Sequence, residues 1–148
     1  MSFQFRLEKV MAMKEKEQEK AQRDYQEAIE QFDKVATKLY ELLKRKEDLE
    51  TLQQKQLLSG MSVQQMKHHQ QFIANLERSI DYFQGAVRNA RTRMYWQEEQ
   101  LKEKQIEVKK YEKVKEQEFK KFIEIEKQQD MREMDEISIF QYVYRSGS

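Results

Sequence analysis

At 148 residues the chain has the length of one domain, yet 37% of it is charged and only 38% hydrophobic, too little to fill a thick globular core. It carries no proline, no cysteine and three glycines, a composition that suits long helices and removes disulfides, thiolate metal sites and thiol catalysis together. The 28 basic and 27 acidic residues nearly cancel and are interleaved, as between Lys14 and Lys20, so no face gains the sustained positive potential that a phosphate backbone requires, and nucleic acid is not an expected partner.

The first residues, from Met1 to Glu17, lack the unbroken apolar run of a signal peptide, and nowhere do enough apolar residues follow one another to span a bilayer. A cytoplasmic location is therefore expected. From about residue 3 to about 58 the apolar residues recur at alternating steps of three and four, the spacing of a coiled-coil seam. That seam reads Leu7, Met11, Lys14, Gln18, Ala21, Tyr25, Ala28, Phe32, Val35, Leu39, Leu42, Lys46, Leu49, Gln53 and Gln56. The pattern breaks at residues 59 to 62. There Gly60 suits a left-handed helix end, Ser62 with Gln65 forms a capping box, and Met61 with Met66 forms a hydrophobic staple.

A second helix is predicted from about residue 63 to 135, with Gly85 tolerated inside it at a cost of about 1 kcal/mol relative to alanine. Its seam runs through Met66, His69, Ile73, Leu76, Ile80, Phe83, Val87, Ala90, Met94, Gln97, Leu101, Lys104, Val108, Tyr111, Lys115, Glu118, Phe122 and Ile125. From about residue 136 to 148 the apolar residues alternate as in a short strand, so a mobile tail is expected there.

If the chain folds back at Met61, residues facing each other have numbers that add to about 122, and each seam position of one helix then meets a seam position of the other. Leu39 faces Phe83, Leu42 faces Ile80, Leu49 faces Ile73 and Met11 faces Tyr111, while Ala28 opposes Met94 and Ala90 opposes Phe32, so volume balances layer by layer. Gln18 is expected opposite Lys104 and Gln53 opposite His69. The fold class is all-α: one antiparallel two-helix coiled-coil hairpin over residues 1–148. At 1.5 Å per residue the helices are about 85 and about 110 Å long, so the second must overhang. Nothing is expected to pair with it beyond about residue 118, although Phe119, Phe122, Ile123 and Ile125 lie there.

No catalytic, cofactor or metal site emerges. His68 and His69 point about 100° apart on a helix and have no second ligand one turn away. The glycines are isolated, so no loop cradles phosphate, and carboxylates on a solvated helix lack the enclosure that sets an acid apart from a base. The chain is expected to be non-enzymatic, with no small-molecule substrate. Trp96 and Tyr95 fall off the seam. Phe72, Leu76, Ser79 and Phe83 form a stripe near the turn, in which Leu76 and Phe83 are first of all seam residues. Phe72, with Tyr40, Leu43 and Tyr82, lies at the seam edges, where large apolar groups suit a partner protein.

Two segments, Phe3-Gln4-Phe5-Arg6-Leu7-Glu8-Lys9-Val10 and His69-Gln70-Gln71-Phe72-Ile73-Ala74-Asn75-Leu76-Glu77, resemble the FliJ family of the bacterial flagellar type III export apparatus, in its Bacillus-type versions. The likeness extends over most of the chain, including Glu107 to Phe122. It implies a rod similar to the central stalk of rotary ATPases, with both termini in the pore of a hexameric export ATPase and the rod reaching the membrane-embedded export gate. It also implies a peripheral position on the cytoplasmic face of the membrane at the flagellar base, and a role in escorting export chaperones. With such a rod, geometry places Phe3, Phe5, Phe119 and Phe122 at the ATPase ring; the resemblance places Phe72 and Leu76 at the gate, and Phe83, Tyr40 and Leu43 are expected there as part of the same turn-proximal strip. Ser79 and Phe83 depart from relatives that carry alanine and histidine. Two other readings compete: a structural spacer coiled coil, and a holdase-type chaperone that grips unfolded chains with its apolar ends.

Overall fold

A computed structural model describes residues 2–147. Two helices account for nearly all of them: α1 (Glu8–Ser59) and α2 (Val63–Ser146), which pack against each other as an antiparallel hairpin, with no strand among the described residues. The turn is built as the residues dictate. Gly60 has φ 98°, and the Ser62 and Gln65 side chains and backbone N–H groups exchange hydrogen bonds of 3.2 Å each way. These bonds satisfy donors that the first turn of α2 would otherwise leave open.

The chain divides into two compact units. In the turn-proximal unit, Glu19–Lys102, the core is the cluster Leu42, Leu76 and Ile80, with Leu39, Leu49 and Phe83 packed against it. Ala21, Ala28, Val87, Ala90 and Leu101 continue the buried line. Lys46 joins Glu77 across the pair at 3.4 Å and Arg91 lies over the Phe32 ring at 5.8 Å, pairs whose numbers add to about 122, as a fold-back at Met61 requires. In the second unit, residues 2–18 with 103–147, Met11 and Val108 are buried, and Lys115 joins Glu8 at 3.1 Å in the same register. Every predicted seam residue is buried or half-buried except Ile125, which is 55% exposed because α1 offers nothing beside it.

The helix ends differ from the predicted ones. α1 begins at Glu8, not near residue 3. The residues before it turn inward, Glu8 N–H donating to the Phe5 carbonyl at 3.2 Å, with Phe5 buried and Phe3 stacked edge-on against Phe119 at 5.3 Å. Phe3 also reaches Phe122 at 5.5 Å, so pairing extends past residue 118. α2 runs on to Ser146, through the residues whose alternation predicted a strand-like tail. A strand there would have no neighbour to pair with, whereas a helix satisfies its own backbone. Met1 and Ser148, the latter part of that predicted tail, lie outside the described residues.

Candidate interaction surfaces

The turn-proximal residues separate by accessibility. Leu76 is 7% exposed and Phe83 is half-buried in the Leu42–Ile80 cluster, so these two stripe residues are core and present little to a partner. Phe72 (47%), Leu43 (43%), Tyr40 (65%) and Tyr82 (71%) are open to solvent. The register further divides these four. In heptads where Leu42 and Leu76 occupy d positions, Phe72 is a g residue and Tyr82 a c residue, whereas Leu43 is an e residue and Tyr40 a b residue. In an antiparallel pair, g packs beside g and e beside e. The Arg45 guanidinium, itself at g, accordingly lies 5.9 Å from the Phe72 ring centre. The strip expected from sequence is therefore two edges: Phe72 with Tyr82 on one, Tyr40 with Leu43 on the other.

Beside Phe72 a shallow pocket of about 180 Å³ is lined by Leu49, His68, His69 and Phe72. His69 Nε2 lies 3.1 Å from Gln56 Oε1, one step further along α1 than the Gln53 expected opposite it. This bond fixes the ring toward α1 and leaves the pocket wall apolar. No group of three or more His, Cys, Asp or Glu side chains able to hold a metal exists among the described residues.

In the second unit three of the four aromatic residues expected at the terminal end, Phe3, Phe119 and Phe122, come together, and Phe5 is buried in the same unit. Phe3 contacts Phe119 and Phe122, and Lys115 Nζ lies 5.9 Å from the Phe5 ring centre. Phe5, at 7% exposure, is enclosed, and Phe119 is the most open of the four. Beside them is an ionic layer the sequence did not reveal. Lys14 Nζ stands 3.4 Å from Glu107 Oε2 and 3.5 Å from Glu17 Oε2, and Lys104 Nζ stands 3.4 Å from the same Glu17 oxygen. Lys104 thus meets Glu17, not the neighbouring Gln18. The Glu107 carboxylate, by direct contact and by charge, followed by Glu17, holds the Lys14 ammonium above its ordinary value. Burial pushes the Glu17 carboxyl up, but Lys14 and Lys104 outweigh it and hold the group below its ordinary value.

Beyond Glu126 every described residue of α2 is exposed, among them Met131, Met134, Ile137, Ile139, Phe140, Tyr142, Val143 and Tyr144. From Ile137 to Tyr144 there is no charge, and apolar groups stand on every side of the helix, a composition ordinarily found in buried helices. The signal was present in the sequence, but its alternation hid its helical form. No helix among the described residues is long and apolar enough to cross a membrane.

Comparison with known proteins gives a consistent answer. The family model for the flagellar FliJ protein matches residues 3–147. A flagellar FliJ protein of Bacillus subtilis (strain 168) is 46% identical over 143 residues, covering 97% of each chain. No solved structure matches the chain.

Proposed function

Because the chain belongs to the FliJ family of flagellar proteins along nearly its whole length, we propose that it is a non-enzymatic stalk of the flagellar protein export apparatus, coupling the hexameric export ATPase to the export gate. One observation carries this reading: α2 continues well past its partner helix and carries, just before its end, an exposed, uncharged, apolar stretch from Ile137 to Tyr144, a little over two turns long. Such surface is stable in water only at a cost, and a protein ring enclosing it recovers that burial on all sides at once. The terminal aromatics Phe3, Phe119 and Phe122, with Phe5 behind them, form the base of that ring-binding end. Phe72, with Leu43 and Tyr40 on the other edge, faces the gate, while Leu76 and Phe83 support Phe72 from the core.

The protein performs no chemistry in this scheme. It biases the nucleotide states of the ring by binding some interfaces better than others, which is the only way a ligand shifts such an equilibrium. It sits on the cytoplasmic face of the membrane through its partners, and the two exposed edges also serve the escort of export chaperones. The test is to mix the full chain with the purified export ATPase and follow hydrolysis and ring assembly. Stimulation of both is expected, lost when residues 137–148 are removed. No effect of the full chain on either would defeat the coupling role. Suppressed aggregation of unrelated unfolded proteins, without any effect on the ATPase, would favour a holdase instead.

A further inference from the structure

The two edges of α2 in the turn-proximal unit differ in charge. Along the e and b positions from Lys67 to Arg91 the side chains include Lys67, Glu77, Asp81, Arg88 and Arg91, as expected of a solvated face. Along the g and c positions the residues are His68, Phe72, Asn75, Ser79, Tyr82, Ala86 and Asn89, with no formal charge until Arg93. In a chain that is 37% charged, this run has the spacing of a second seam. Phe72 and Tyr82 are exposed on it, and Ser79 between them and Ala86 just beyond Tyr82 are small.

Gly85 borders the same strip. A Cβ placed on it would meet nothing closer than Arg88 Nη2 at 3.9 Å, so no packing within the chain calls for a glycine in this helix interior. A glycine does suit a position that another backbone approaches closely. The charges that flank the strip are of one sign: Lys38 and Arg45 at g positions of α1, and Arg78 on its outer side. None of these three has a carboxylate within ion-pair distance among the described residues, while Glu41 and Asp48 lie further out on α1.

We propose that this strip, from Phe72 to Asn89, receives one amphipathic helix of a partner protein, acidic along its flanks, to form a local three-helix layer. Phe72 and Tyr82 fill gaps between the incoming side chains, Ser79, Gly85 and Ala86 allow the backbones to come close, and Lys38, Arg45 and Arg78 pair with the acidic flanks. The inference rests on the partner-binding reading at Phe72 alone and not on which export component supplies the helix.

The probe is a synthetic four-heptad peptide with leucine and alanine on one face and glutamate at the flanking positions, compared with an isomer carrying lysine there. Binding to the full chain is read by anisotropy of the labelled peptide. The glutamate form is expected to bind roughly tenfold tighter or better than the lysine form. Ser79→Glu is expected to weaken it by at least as much, and Gln84→Glu on the other edge to leave it unchanged. Gly85→Leu separates docking from folding, because it has room inside the chain and favours the helix: melting temperature is retained or raised while peptide binding is lost. Failure of both peptides to bind, equal binding of the two, or insensitivity to Gly85→Leu overturns the proposal. So does a dimer of the chain alone that Ser79→Glu dissolves, which would assign the strip to a second copy. If Phe72→Ala leaves capture of the gate's cytoplasmic domain intact while Gly85→Leu abolishes peptide binding, the gate assignment falls and this one stands.

Discussion

Ile80 is packed among Leu42, Leu76 and their neighbours where only two helices supply the walls, so each side chain of that cluster excludes water for the others. Truncation there leaves a cavity that no third element can close. Ile80→Ala is expected to lower stability by about 2–4 kcal/mol in urea unfolding. By contrast Tyr40→Ala and Tyr82→Ala, at exposed positions, should change it by no more than about 0.5 kcal/mol. The ionic layer of Lys14, Glu17, Lys104 and Glu107 makes a different prediction. Glu17, held below its ordinary value, contributes stability that is present above its unfolded-state pKa and lost as pH falls through the lowered folded value. Lys14, held above its ordinary value, contributes stability that is present below its unfolded-state pKa and lost as pH rises through the raised one. Urea midpoints should therefore be flat through neutral pH and decline at both extremes, and Glu17→Gln should flatten the acid decline. An unchanged acid limb in that variant would show that the layer carries no linkage.

At the scale of the elements, the turn is the most local feature and the easiest to test. Ser62→Ala removes one acceptor of the capping box and should cost about 1 kcal/mol. Gly60→Ala meets no atom within 4 Å, so its expected cost of similar size comes from backbone conformation alone and should be shared by other non-glycine substitutions except asparagine. These signals were legible in the sequence because each depends on residues within a few positions of one another. The seam was legible for a related reason: in a two-helix hairpin one turn sets the whole register, and a three-four repeat then names its own partners. What escaped was decided by what lies beside a segment. The alternation of Ile137, Ile139 and Val143 looks the same in a strand and in a helix that nothing covers, and only the lack of a pairing strand decides for the helix. Glu17 escaped because a g residue reaches a seam lysine through side-chain length, which the repeat does not encode.

For the molecule as a whole, exposure predicts where protection against hydrogen exchange falls. It should be highest around Leu76 to Leu101 and lowest in residues 127–147, and removal of residues 137–148 should leave the urea midpoint of the hairpin unchanged. A lowered midpoint would mean that the end of α2 packs somewhere after all. Of the candidate surfaces, the exposed aromatics were legible in the sequence but their division between two edges was not, because that division follows from the antiparallel side-by-side order of the flanking positions rather than from spacing along one helix. A stretch of α2 without a companion also has its own way of melting. Since its side chains are exposed and α1 does not cover it, its unwinding is a helix–coil equilibrium that shifts gradually with temperature. Ellipticity at 222 nm should slope steadily through the low-temperature range, ahead of the main cooperative loss of the hairpin, and a ligand that encloses the apolar end should level that slope before it moves the midpoint.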